Sequence, residues 1–155
     1  MKLHYVCIVL FLGLFIFWGC KPQCDDTPVS RVTFVDKGVV VPDSVTTRVI
    51  ISPDSIEHII ASENGTVEEQ WSKPIEASDF DALQQIIDEH NLFCANDVKG
   101  QPGCAGWQGM AITISGTDNS TQTIDIMGTA CIKELWPAGV RKLIELEDEL
   151  VEKYQ

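Results

Sequence analysis

"MAITISGTDNSTQTIDIM", residues 110–127, is the stretch on which the reading of the fold turns. Its two ends, MAITIS and TQTIDIM, alternate apolar and polar residues, the period-two pattern of half-buried strands, and together they read as a β-hairpin. Ile112 and Ile114 point one way in the first strand; Ile124 and Ile126 point one way in the second. Residues directly opposite in an antiparallel pair share a face, so Ile114 is expected across from an apolar residue. Pairing it with Ile124 meets that expectation, whereas a shift of two places toward the turn sets it against polar Gln122. The Ile114–Ile124 register requires an odd loop of about three residues at Asp118-Asn119-Ser120, or a bulge.

Upstream, TTRVIIS (46–52) and SIEHIIA (55–61) are short, β-branched and bounded by Pro53-Asp54 and Asn64-Gly65. They read as strands, with the Asn-Gly pair turning into TVEEQWS. Ile56, His58 and Ile60 share one face of the second run, and Glu57 and Ile59 the other. RVTFVDKGVVV (31–41) suggests a further strand pair around Asp36-Lys37-Gly38.

A helix is expected next. Ser78 stands as N-cap with Asp81 three residues on, the capping-box spacing, and acids in the first turn suit the positive end of the helix dipole. Phe80, Leu83 and Ile87 recur at helical spacing with Ile86 beside them, ending near His90-Asn91. The last helix starts at Trp136-Pro137. Val140, Leu143, Ile144, Leu150, Val151 and Tyr154 line one face of it, with Glu147 the one gap. The order of strands, helix, hairpin and helix predicts an α+β domain, two helices packed on an antiparallel sheet.

The chain of 155 residues opens MKLHYVCIVLFLGLFIFWGC. From Tyr5 to Trp18 nothing is charged, a run of about fourteen residues, which is the length of a signal-peptide core. A helix across a bilayer needs roughly twenty, so the length favours a leader that is removed over an anchor that stays. Gly19-Cys20 at its end resembles the lipobox of bacterial lipoproteins, although Phe17 and Trp18 replace the usual Leu and small residue. That resemblance implies residues 1–19 as signal peptide, Cys20 as lipid attachment site, and residues 20–30 as a polar tether off the membrane. Residues 31–155 then form the domain, which is small enough for one core. DFDALQQIIDEHNLF, QPGCAGWQGMAITI, TQTIDIMG and AGVRKLIELEDEL also resemble small bacterial lipoprotein α+β domains. What this implies is fold and address: a cell-envelope protein at the outer membrane or periplasmic face, held to the membrane through an N-terminal lipid.

The sequence carries 11 Lys+Arg against 23 Asp+Glu, a formal charge of −12. Such a domain lacks the basic face that nucleic acid requires. Nor does it gain from anionic headgroups, so membrane attachment is left to the lipid. Of six cysteines, Cys7 leaves with the leader and Cys20 takes the lipid. Cys24, Cys94, Cys104 and Cys131 then read as two disulfides in an exported domain. Hairpin geometry favours Cys104–Cys131 with Cys24–Cys94; Cys94–Cys104 with Cys24–Cys131 is the rival. No C-x-x-C occurs, and the wide cysteine spacings, with His58 and His90 alone in the mature chain, disfavour a metal site.

CANDVKGQPGCAGWQG (94–109) is rich in glycine around Trp107. It reads either as a connection whose tryptophan caps the core, the favoured reading, or as a contact loop displaying an aromatic. His58, among isoleucines on a strand, reads as a packed, hydrogen-bonded residue, and ELEDELVE as the solvated face of the last helix. Glu68 and Glu69, adjacent on a strand, point to opposite faces and make no catalytic pair. No nucleophile motif, phosphate loop or cofactor signature appears, so a non-enzymatic binding or structural module with an envelope protein partner is expected. The alternative is an inhibitor of an extracellular hydrolase that acts through the 94–109 loop.

Overall fold

The described residues form six strands, β1 (Val29–Asp36), β2 (Val45–Ser52), β3 (Ser55–Ser62), β4 (Val67–Pro74), β5 (Gly109–Gly116) and β6 (Thr121–Met127), of which all but the polar β4 are rich in β-branched residues. The structure, a computed structural model, describes residues 27–37, 45–62, 64–100, 109–127, 130 and 132–155. The strands form one open antiparallel sheet in the order β4-β3-β2-β1-β5-β6. Among the described residues two α-helices, α1 (Ala77–Glu89) and α2 (Ala138–Tyr154), complete the α+β architecture.

One sheet face is apolar. Val32 and Phe34 of β1, Val49 and Ile51 of β2, Ile56 of β3, Ile112 and Ile114 of β5, and Ile124 and Ile126 of β6 are all buried. They belong to the same cluster as Phe80, Leu83 and Ile87 of α1 and Val140, Leu143, Ile144 and Leu150 of α2. Each such side chain contributes roughly 1.5–3 kcal/mol on burial, so this shared core is the main source of stability.

Several local expectations hold. Ser52 faces Ser55 across the Pro53-Asp54 turn. At the β3–β4 turn Gly65 takes φ +84°, and the Asn64 side chain accepts hydrogen bonds from Ser62 Oγ (2.7 Å) and the Thr66 N–H (2.9 Å). In α1 the predicted apolar triplet Phe80, Leu83 and Ile87 is the buried one, and His90 is the C-cap.

Four expectations are corrected. The strand pair around Asp36-Lys37-Gly38 does not form on β1, because Val32–Asp36 is paired on one side by β2 and on the other by β5. Both hydrogen-bonding edges are taken. Residues 38–44 lie outside the described residues. The strand also starts at Val29, so Val29 and Ser30, assigned to the tether, belong to the sheet.

The hairpin register is the third correction. Ile112 faces Ile124, and Ile114 faces Gln122. The loop does have three residues, but they are Thr117, Asp118 and Asn119: the Gly116 N–H donates to Ser120 O at 2.9 Å, and Asn119 takes φ +69°. Asp118 Oδ1 accepts the Ser120 N–H at 2.8 Å. Gln122 is tolerated on the core-side face because its Nε2 donates to Ala95 O at 2.9 Å. A satisfied amide costs far less to bury than a bare one, and this acceptor lies 27 residues away in the chain.

The start of α1 is the fourth. The helix begins at Ala77 with Glu76 as N-cap and no capping side chain; Ser78 sits inside the first turn. The end of α2 does the capping work. Tyr154 Oη accepts the Glu76 N–H at 2.9 Å and donates to Asp79 Oδ2 at 2.6 Å. Lys153 Nζ meets the same Asp79 oxygen at 2.8 Å and Glu76 Oε2 at 3.2 Å. These contacts lower the Asp79 pKa, the Lys153 hydrogen bond first and that of Tyr154 next, and they raise that of Lys153.

Candidate functional site

The antiparallel register assembles two side-chain rows on the buried face of the sheet. One runs Met110–Asp36–Thr47 across β5, β1 and β2; the next runs Phe34–Val49–His58–Trp71 across β1 to β4. Residues opposite one another in a ladder are within side-chain reach, and His58 stacks on Trp71 with ring centroids 5.2 Å apart and planes 12° apart. Helix α2 lies over these rows. Its stripe of Val140, Leu143, Ile144 and Leu150 is buried in the common core and determines which way the helix faces. Glu147 falls within that stripe at i+4 from Leu143 and is carried inward with it, to 8% exposure.

The result is a cavity of about 210 Å³ between α2 and the sheet, lined by Asp36, Thr47, Val49, His58, Met110 and Glu147 among others. Burial, then the charges of Asp148 and Asp36, push the Glu147 pKa from 4.5 to about 7; Lys133 opposes them. The group therefore exchanges its proton near neutral pH, where an ordinary carboxylate is fully ionised. His58, 9% exposed, has a buried Nδ1 with no hydrogen-bond partner among the described residues. The sequence reading of His58 was right about packing and differs on the hydrogen bond. Of ELEDELVE, Glu145, Asp148, Glu149 and Glu152 are exposed as expected and Glu147 is not. The signal for it was legible as the single gap in the apolar stripe.

This arrangement brings together acidic groups, a buried imidazole and apolar walls, which is binding chemistry for a compact cation. Among the described residues no three His, Cys, Asp or Glu side chains are grouped to hold a metal ion.

Of the residues singled out beforehand, Cys20, Cys24, Cys104, Trp107 and Cys131 lie outside the described residues. Cys94 closes a short 3-10 turn, Leu92–Cys94, and is exposed. It is disulfide-bonded, and every other cysteine lies outside the described residues. The first part of the 94–109 loop is pinned to β6: the Val98 N–H donates to Asp125 O at 2.8 Å, the Met127 N–H to Val98 O at 3.1 Å, and the Asp125 N–H to Asp97 Oδ1 at 3.0 Å. Val98 is buried there. No helix among the described residues is long and apolar enough to cross a membrane. No protein-family model matches the chain, and no curated protein matches it.

Proposed function

We propose that the chain is a lipid-anchored protein of the bacterial cell envelope, attached through Cys20, whose α+β domain is a non-enzymatic binding or structural module for an envelope partner. The observation that carries the address is Gly19-Cys20 closing an apolar run too short to span a bilayer, followed at once by KPQCDD. The disulfide at Cys94 supports the same compartment, since such bonds persist where the surroundings oxidise thiols. The cavity beneath α2 supports the binding role. Replacing Cys20 with Ser tests the anchor. Lipid labelling should vanish and the protein should leave the membrane fraction; if the variant stays in the membrane, the leader is an uncleaved anchor and this reading fails.

A second reading, inhibition of an extracellular hydrolase through the 94–109 loop, has one observation in its favour. That loop starts from a disulfide-bonded cysteine and is tied along β6 through Asp97 and Val98. A rigid base of this kind suits a loop that presents Trp107 to a partner at low entropic cost. Loss of binding to a captured hydrolase on Trp107→Ala, with thermal stability unchanged, is the result this second reading requires.

A further inference from the structure

We propose that the cavity between α2 and the β1–β2–β3 face binds a small alkylammonium ion, with Glu147 as the counter-charge, Asp36 and Asp148 on the walls of the same cavity, His58 as a hydrogen-bond acceptor, and Phe34 and Val49 against the hydrocarbon. The inference names a ligand for the binding module proposed above, and does not depend on how the chain is anchored.

Acidity alone is a poor guide to a site. The independent observation is His58, which is nine-tenths buried, lines this cavity, and has no hydrogen-bond partner at Nδ1 among the described residues. A buried polar atom without a partner costs roughly 1–3 kcal/mol, and a ligand donor would relieve that cost. With the proton on Nε2, Nδ1 is an acceptor and matches the N–H donors of an ammonium ion.

The charge pattern agrees. The groups that act electrostatically on Glu147 are Asp148 on its own helix, Asp36 on β1 and, in opposition, Lys133 on the 3-10 turn Lys133–Leu135; His58 of β3 lines the same cavity. Asp148 and Asp36 both disfavour the ionised form of Glu147, and a cation beside that carboxyl would favour it. The apolar walls, Phe34, Val49, Met110 and Val151, lie along the same cavity. A bare metal ion has no use for them, whereas a short alkyl chain buries there at about 25 cal/mol per Å². At about 210 Å³ the space is below the roughly 300–1,000 Å³ of drug-sized sites, which limits the ligand to a few heavy atoms.

The ammonium binds the ionised form of Glu147, and this makes affinity depend on pH. With the carboxyl titrating at about 7, the ionised fraction falls about tenfold between pH 8 and pH 6, while an alkylamine stays charged throughout. The experiment titrates n-butylammonium chloride into the purified full chain and follows His58 ring and backbone amide shifts by NMR at both values. Saturable binding is expected, about tenfold weaker at pH 6, with n-butanol giving none. Glu147→Gln should weaken binding at pH 8 at least fivefold and flatten the pH profile. Asp148→Asn, at an exposed position with little bearing on folding, should weaken it about two- to threefold. Nα-acetyl-lysine-N-methylamide separates two sources of the same chemistry: if it binds too, the end of a partner's lysine is a ligand, and if it does not, the site takes free amines. Either result supports the site. Failure of both amines to saturate, equal binding of n-butanol, or unchanged affinity in both variants overturns the proposal. None of these outcomes alters the Cys20 result, so the two readings fail separately.

Discussion

Glu147→Gln isolates the energetic consequence of placing a carboxyl under α2. In the folded chain its pKa is raised from 4.5 to about 7, by burial first and then by Asp148 and Asp36. A folded pKa above the unfolded one means that the folded state holds the proton more tightly. Below about pH 4.5 the group is protonated in both states and contributes nothing to the difference. As pH rises toward 7 the unfolded chain ionises first and stability falls; above 7 the loss is complete. From 4.5 to about 7, at about 1.36 kcal/mol per pH unit, that loss is roughly 3 kcal/mol. Glutamine keeps the shape and cannot ionise. The variant should therefore match the parent near pH 4.5 and exceed it by roughly 3 kcal/mol at pH 8. Urea unfolding reads this as a gap between midpoints of about 1–3 M at pH 8, given slopes of about 1–3 kcal/mol per M. Other carboxylates titrate equally in both proteins and cancel. A gap that is the same at pH 4.5 and pH 8 would refute the buried, proton-sensitive assignment.

Asp79→Asn removes the anchor shared by Lys153 and Tyr154 and should cost about 1–2 kcal/mol at pH 7, the scale of a hydrogen bond to a charged group. Because the folded-state pKa of Asp79 is depressed, that contribution is present above the ordinary aspartate range and is lost as pH falls through the folded value. The difference from the parent in urea midpoint should close in acid, and a constant difference would show that charge is not involved. Gly139→Ala should destabilise α2 by about 1–3 kcal/mol, although propensity alone predicts a gain of about 1 kcal/mol. A Cβ there would meet His90, with Cγ at 2.7 Å, and Leu92 Cδ2 at 3.0 Å. An increase in melting temperature would show that the contact between α2 and the end of α1 is looser than described.

The sequence by itself determined the elements and their apolar faces, because those depend on neighbours a few positions away. Ile112, Ile114, Ile124 and Ile126 are all buried as their alternation required; Phe80, Leu83 and Ile87 of α1 and Val140, Leu143, Ile144 and Leu150 of α2 are buried as their periodicity required, while Val151 and Tyr154 are half-buried. The order of elements was enough for the α+β class with an antiparallel sheet. Pairings and polar exceptions were decided only by tertiary structure. Gln122 opposite Ile114 is acceptable because Ala95 supplies an acceptor. Ser78 is not the cap because Tyr154 and Lys153 reach Glu76 and Asp79 from the far end of the chain. Residues 32–36 do not turn back on themselves at Asp36-Lys37-Gly38 because β2 takes one edge of β1 and β5 the other. The cavity follows the same rule. Glu147 was visible as a break in a stripe and His58 as a histidine among isoleucines, but the cross-strand register and the packing of α2 set them around one space with Asp36. Periodicity reports which side of an element faces inward; which residues meet there depends on contacts between segments far apart in the chain.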